Sequence, residues 1–296
     1  MADAVPTLEV VNLKKEFTVR GDTSAERAQG SARSGLLGRR RPSRSFSHSV
    51  VAVDDVSFAV APGQSLAIVG ESGSGKTTIA RMIVGLERPT AGRIVAAGHE
   101  RSGRHVGSRE RKRRAREIQI IFQDPYSSLD PRMSVRACLD EVLRLHFDLT
   151  DDDRGLRIEQ LLDQVGLDQR QSAALPRALS GGQRQRVAIA RALASEPRLL
   201  ICDEAVASLD VSIQAQVLNL LSDIREQTGV SYLFISHDLA VVRQVSDDVI
   251  VMKNGRIVES GPTEHVLGSP HEPYTKRLLA AIPREGWRPS ASGTTD

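Results

Sequence analysis

Short, solidly apolar runs alternate along this chain with stretches whose apolar positions recur every third or fourth residue. The runs predict strands at Leu8–Val11, Ser65–Val69, Ile118–Phe122, Leu199–Cys202, Ser231–Ile235 and Val249–Met252. Strands that are apolar on both faces belong in a sheet covered by helices on both sides, the mark of an α/β core with parallel strands. Ile79, Met82, Ile83 and Leu86 repeat at helical spacing and predict a helix over 77–86 after the second strand, with Gly85 and Pro89 near its end. From Pro125 to Arg177 the pattern predicts helices alone: Ser134 can cap one, and Thr150 with Asp153 reads as a capping box for another ending near Gly166. A further helix is expected from Arg184 to Ala194, stopping before Pro197. The expectation is an α/β core carrying an inserted helical subdomain at 125–178, with a polar tail from Arg284 to Asp296 expected to be disordered.

Composition narrows the class. With 296 residues, 40% of them hydrophobic and 26% charged, the chain can bury a sizeable core and lacks the balance of a disordered one. No run approaches the roughly 18 consecutive apolar residues of a transmembrane helix, and Met1 to Val10 lacks the basic-then-apolar order of a leader, so neither a span nor export is expected. Cys138 and Cys202 stand far apart with no metal-ligand spacing, which argues against a disulfide framework or a zinc module and fits a reducing compartment. The net charge of +3 comes largely from two arginine-rich stretches. The first, residues 20–50, mixes Gly, Ser and Ala with Arg27, Arg33, Arg39, Arg40, Arg41 and Arg44 without periodicity and predicts a flexible insertion. The second, Arg101 to Arg116, reads as a solvated helix leading into a strand. Neither is interleaved with aromatic side chains that stack on bases, so nucleic acid is not an expected partner.

The chemistry is concentrated in three places. Gly70-Glu71-Ser72-Gly73-Ser74-Gly75-Lys76-Thr77 satisfies GxxxxGK[ST] between a predicted strand and a predicted helix, the context this phosphate-binding loop requires. Its glycines let backbone N–H groups close around phosphate oxygens, Lys76 can neutralise the β- and γ-phosphates, and the Thr77 hydroxyl can ligate Mg²⁺. A dinucleotide fingerprint fails, because Thr78 stands where its third glycine would be, and Thr78 is counted with the nucleotide-binding residues instead. The strand Leu199–Cys202 ends in Asp203-Glu204, placing two acids at the sheet edge where ligands gather: Asp203 can hold Mg²⁺ through water, and Glu204 can polarise an attacking water as general base. Ser180-Gly181-Gly182-Gln183 crowns a helix N-terminus and offers a second anion site. A chain with two such helix ends either binds two anions or uses one of them on another molecule's nucleotide.

In this order the motifs resemble those of the ATP-binding subunits of ABC transporters, over about Thr7 to Pro283. The resemblance implies a P-loop ATPase core with a mixed, mainly parallel sheet, an ATPase domain over 7–268, and ATP with Mg²⁺ as cofactors. It also implies that Gln123 senses Mg²⁺ and γ-phosphate, that His237 contacts the γ-phosphate, that Asp210 lies in the loop crossing to a partner subunit, and that Phe17 stacks on adenine. Within the family, Phe122 to Met133, Asp210 to Leu218 and Pro270 to Leu279 are similar to the oligopeptide and dipeptide import group, so 269–283 is set apart as that group's C-terminal segment. Ala205 stands where the family usually has proline, Ala207-Ser208 inverts the usual small pair, and the cysteine cluster some of these importers carry near the C-terminus is missing. The partners implied are a second ABC ATPase subunit, two integral membrane permease subunits and, indirectly, an extracytoplasmic solute-binding protein, at the cytoplasmic face of the inner membrane. Two rival readings are a soluble ABC ATPase acting on nucleic acid or the translation machinery, and an accessory ATPase of phosphonate breakdown.

Overall fold

A computed structural model of the chain describes residues 5–21, 46–102, 106–124 and 128–281. Strands β1 (Leu8–Gly21), β2 (Phe46–Val60), β4 (Ala91–Ala96) and β5 (His99–Glu100) form an antiparallel sheet in the order β2-β1-β4-β5. The second sheet runs β10-β9-β3-β8-β7-β6, from β3 (Ser65–Val69), β6 (Ile118–Ile121), β7 (Leu199–Asp203), β8 (Ser231–Ser236), β9 (Asp248–Lys253) and β10 (Arg256–Pro262). All its pairings are parallel except β10 on β9.

Alternation along the parallel strands sorts their side chains into two cores. Leu66, Ile68, Leu199, Ile201, Leu233, Ile235 and Ile250 meet Leu8, Val10, Val53 and Ile94 of the antiparallel sheet and Ile79 and Ile83 of α1 (Lys76–Val84). Ala67, Val69, Leu200, Cys202, Tyr232, Phe234, Val249 and Val251 face the other way, against helices α3 (Val135–His146), α4 (Asp151–Gln164), α6 (Gly181–Leu193), α7 (Val211–Thr228), α8 (Leu239–Val245) and α9 (Thr263–Gly268). Each buried Val, Leu, Ile or Phe among them contributes roughly 1.5–3 kcal/mol by leaving water, so the sheet is anchored from both sides. The short α5 (Gln169–Ala173) completes the helical subdomain with α3 and α4, and α10 (Pro273–Ala280) closes the described chain.

Several expectations are revised. The stretch 20–50 is not wholly an insertion: β1 runs to Gly21 and β2 begins at Phe46, pairing as a long antiparallel ribbon, while residues 22–45 lie outside the described residues. The ribbon escapes a periodicity reading because register shifts between Val10 and Glu16 break the two-residue alternation. The helix predicted at 77–86 spans Lys76–Val84 and ends on Gly85 at φ 83°, a left-handed cap glycine adopts without strain. Thr150 caps α4 by accepting from the Asp153 amide at 3.1 Å, but its hydroxyl donates to the Asp153 carboxylate, so only half the capping box forms. Of the basic stretch 101–116, the part from Ser108 forms helix α2 (Ser108–Glu117) before β6, a shorter helix than expected, and its charges are partly consumed within the fold. Arg113 and Arg114 both reach Glu110 at 2.7 Å, and the Arg101 guanidinium reaches Glu117 at 2.6 Å. The hydrogen bonds from Arg113 and Arg114 hold the Glu110 carboxyl at about 2. The expected disordered tail, 284–296, lies outside the described residues.

Candidate nucleotide site

The phosphate loop, 70–77, leaves β3 at the C-terminal edge of the parallel sheet and turns into α1, and it is fixed from below by backbone contacts. A Cβ on Gly70 (φ 151°) would lie 2.2 Å from the Met252 carbonyl oxygen, and one on Gly75 (φ 103°) would lie 2.4 Å from that of Ala52. The turn after β9 adds hydrogen bonds: the Gly255 amide donates to the Ser74 carbonyl at 3.1 Å, and the Asp54 amide donates to the Gly255 carbonyl at 2.8 Å. The end of β9, the β2 ribbon and the loop therefore meet at van der Waals distance, and glycine is required where they do. Helix α1 starts without a side-chain cap or an acidic residue in its first turn, so its first N–H groups and the positive end of its dipole remain available to an anion.

Lys76 is buried at the centre of this loop. Its Nζ donates to the carbonyls of Gly70 (2.7 Å) and Glu71 (2.9 Å) and to Ser74 Oγ (3.3 Å). Burial pulls its pKa down, and Glu204 and, to a lesser extent, Asp203 pull it back up. Thr77 Oγ1 donates to Asp203 Oδ1 at 3.2 Å, bringing together the two oxygen donors expected to face a metal. Asp203 is itself buried, which raises its pKa despite the Thr77 hydrogen bond. Such a pair suits Mg²⁺, which keeps several waters and takes few protein ligands. No group of three or more His, Cys, Asp or Glu able to cage a metal occurs among the described residues.

Glu204 follows at φ 52°, a left-handed conformation that a glutamate adopts only at some cost. Its amide is held by the Ile235 carbonyl at 2.9 Å, so the turn is imposed by β8. The result directs the carboxylate to His237 Nδ1, 3.2 Å away. A small cavity of about 80 Å³, lined in part by Glu204, Ala205, Ser236 and His237, opens beside the pair and can hold a water.

The remaining expected residues fall in other places. Phe17 lies on β1 opposite Val50, two positions from Ala52 where the ribbon touches the phosphate loop, and Lys15 Nζ sits 4.7 Å over its ring. Gln123 stands just beyond β6 with its side chain exposed, and its carbonyl accepts from Ser208 Oγ at 3.3 Å. Ser180 and Gln183 close a complete capping box on α6, with Gln183 N to Ser180 Oγ at 3.2 Å and Ser180 N to Gln183 Oε1 at 2.9 Å. Gly181 and Gly182 pack this helix start on the start of α7: a Cβ on Gly182 would lie 2.5 Å from Ile213 Cγ2. Asp210 caps α7 through the Ile213 amide at 3.0 Å, and this hydrogen bond leads the causes holding its carboxyl below the usual range. Among the described residues no hydrogen bond joins the Ser180–Gln183 turn to the phosphate loop, and the capping box engages the Ser180 and Gln183 amides themselves. Ser180 is exposed.

One contact has no signal in the local sequence. Tyr274, in the segment set apart at 269–283, is buried, and its Oη accepts the Glu71 amide of the phosphate loop at 3.1 Å. Through Tyr274 the segment touches the phosphate loop.

A lysine-centred glycine loop at a helix start, a hydroxyl paired with a strand-end aspartate, and a glutamate–histidine pair beside them define a P-loop nucleoside triphosphatase. Residues 53–207 match the family model described as ABC transporter. The chain is 49% identical over 79% of its length to a candidate peptide import ATP-binding protein of Brucella abortus, of which it covers 70%. It is 44% identical over 96% of its length to the glutathione import ATP-binding protein GsiA of Escherichia coli, of which it spans 42%. Among solved structures, the ATP-binding cassette MJ0796, in a dimeric post-hydrolysis state bound to ADP and Pi, matches with a TM-score of 0.69 at 25% identity, over 86% of this chain and 98% of that one. cbiO1 of Clostridium perfringens, part of the ABC transporter complex cbiONQ, matches with a TM-score of 0.70 at 25% identity, over 89% of this chain and 91% of that one. The chain belongs to the ABC transporter family, as an ATP-binding subunit that hydrolyses ATP.

Proposed function

We propose that this chain energises the import of oligopeptides or dipeptides, as one of two ATPase subunits docked on two integral membrane permease subunits at the cytoplasmic face of the membrane. The observation that carries the reading is the convergence of Thr77, Asp203, Glu204 and His237 on one side of the Lys76 loop. Its likeness to proteins named for peptide and glutathione import supports the substrate class. No helix among the described residues is long and apolar enough to cross a membrane, and in this reading the permease subunits supply the route for the solute.

In this reading the loop N–H groups and Lys76 hold the β- and γ-phosphates, with Gly70 to Thr78 as the cradle and Phe17 against the adenine. Thr77 and Asp203, with Gln123, would hold Mg²⁺, which when bound neutralises charge on the phosphates. Glu204 takes the proton of the attacking water, and His237, 3.2 Å from it, orients that carboxylate and faces the γ-phosphate. The second helix end, Ser180 to Gln183, serves the nucleotide bound by the partner subunit, with Asp210 at the crossing. Two helix starts that share no hydrogen bond within the chain support this division of labour. ATP then closes the pair of subunits, and hydrolysis reopens it. Affinity capture of the tagged chain from detergent-solubilised membranes should recover integral membrane subunits and a solute-binding protein. Recovery of ribosomes or nucleic acid, or of lyase proteins, would replace the importer by one of the two rivals.

A further inference from the structure

We infer that Tyr274 is a positioning residue for nucleotide: its hydroxyl sets the phosphate loop from the side opposite the ligand and couples the seating of α10 to ATP affinity. The inference rests on the ATP-binding reading of the loop. Glu71 is the second residue of that loop, where the chain turns away from β3, and its amide donates to Tyr274 Oη at 3.1 Å. Glu71, Ser72 and Gly73 are exposed, so the loop's rim has little packing of its own to fix it.

Tyr274 is well placed to supply that fixation. It is only 5% exposed, in the first turn of α10, with Pro273 starting the helix. Lys253 Nζ lies 5.0 Å over its ring, and the neighbouring Met252 carbonyl is the atom that bars a side chain at Gly70. The ring therefore ties the end of β9, α10 and the loop together, and its hydroxyl is an acceptor with little freedom to move. The segment leading into α10 is itself fastened, the His271 amide donating to Glu259 Oε1 at 2.7 Å. A loop amide engaged from below is not free to turn toward solvent, which keeps the following N–H groups aimed at a phosphate. By linkage, ATP bound in the loop must favour a seated α10 by the same factor that a seated α10 favours ATP.

Tyr274→Phe in the full chain removes the acceptor and keeps the ring. The Kd for a fluorescent ATP analogue with Mg²⁺ should rise about fivefold, the factor a single neutral hydrogen bond is worth, while kcat at saturation stays within about twofold of wild type. Hydrogen exchange in 273–280 should slow on ATP addition in wild type and not in the variant. Glu71→Pro deletes the donor instead, and in that background Tyr274→Phe should change the Kd no further. An unchanged Kd in Tyr274→Phe, or an effect that simply adds to that of Glu71→Pro, overturns the inference. A wild-type chain that binds no ATP at all would instead overturn the ATPase reading beneath it.

Discussion

Gly75→Ala, measured beside Gly73→Ala, tests whether the β1–β2 ribbon supports the phosphate loop. Both glycines hold positive φ, 103° and 80°, so in each case a side chain incurs the left-handed penalty of roughly 1–2 kcal/mol. They differ in what the new methyl meets. At Gly73 nothing lies within 4 Å, whereas at Gly75 the methyl would sit 2.4 Å from the Ala52 carbonyl oxygen and 3.3 Å from Val53 Cγ2. The first of these is backbone of β2, which pairs with β1 at Val51 and Val53 on either side of Ala52, so it cannot swing aside as a side-chain tip would. Overpacking of that kind adds about 1–3 kcal/mol, so Gly75→Ala should cost about 2–5 kcal/mol in total against about 1–2 kcal/mol for Gly73→Ala. Urea unfolding at equal slope reads the difference, and ATP binding should be lost in the Gly75 variant because the loop must move off the ribbon. Equal midpoints for the two variants would refute the supporting contact.

Two further substitutions separate binding from chemistry and stability from function. Asp203→Asn should raise stability at pH 7: burial has lifted the Asp203 pKa above its unfolded value, so its charge weakens the fold as pH rises through that window. The gain should shrink as pH falls below the ordinary carboxylate range, and ATP-dependent closure with Mg²⁺ should fail, whereas a variant less stable at pH 7 would contradict the assignment. Glu204→Gln preserves shape and a partner for His237 but cannot take a proton. It should slow single-turnover hydrolysis by roughly 10²–10⁴-fold with ATP binding retained, and unimpaired turnover would remove Glu204 from the role of base.

The chemistry of this site was more legible than its support. Gly70 to Thr77, Asp203-Glu204 and the Ser180 turn can be read because each is a contiguous motif at the junction of an apolar strand and a helix, and β3, β7 and β8 are apolar enough to stand out. The antiparallel sheet could not be read in full: β2 mixes exposed Val50 and Val51 with buried Val53 and Val56, and its partner shifts register three times. The left-handed Glu204 is set by a carbonyl of β8, and the Tyr274 contact to Glu71 spans 203 positions. Neither leaves a trace in neighbouring residues, because both are imposed by packing between distant elements.

In the proposed dimer one chain supplies halves of two different nucleotide sites. Ser180→Arg fills the space before the α6 helix end while leaving Lys76, Thr77, Asp203 and Phe17 unaltered. The decisive measurement is ATP affinity of this variant together with its state of association in MgATP. The monomeric variant should bind ATP as wild type does but neither dimerise nor hydrolyse it, whereas loss of ATP binding by the monomer would place Ser180 in its own chain's pocket and rule out the shared-site arrangement.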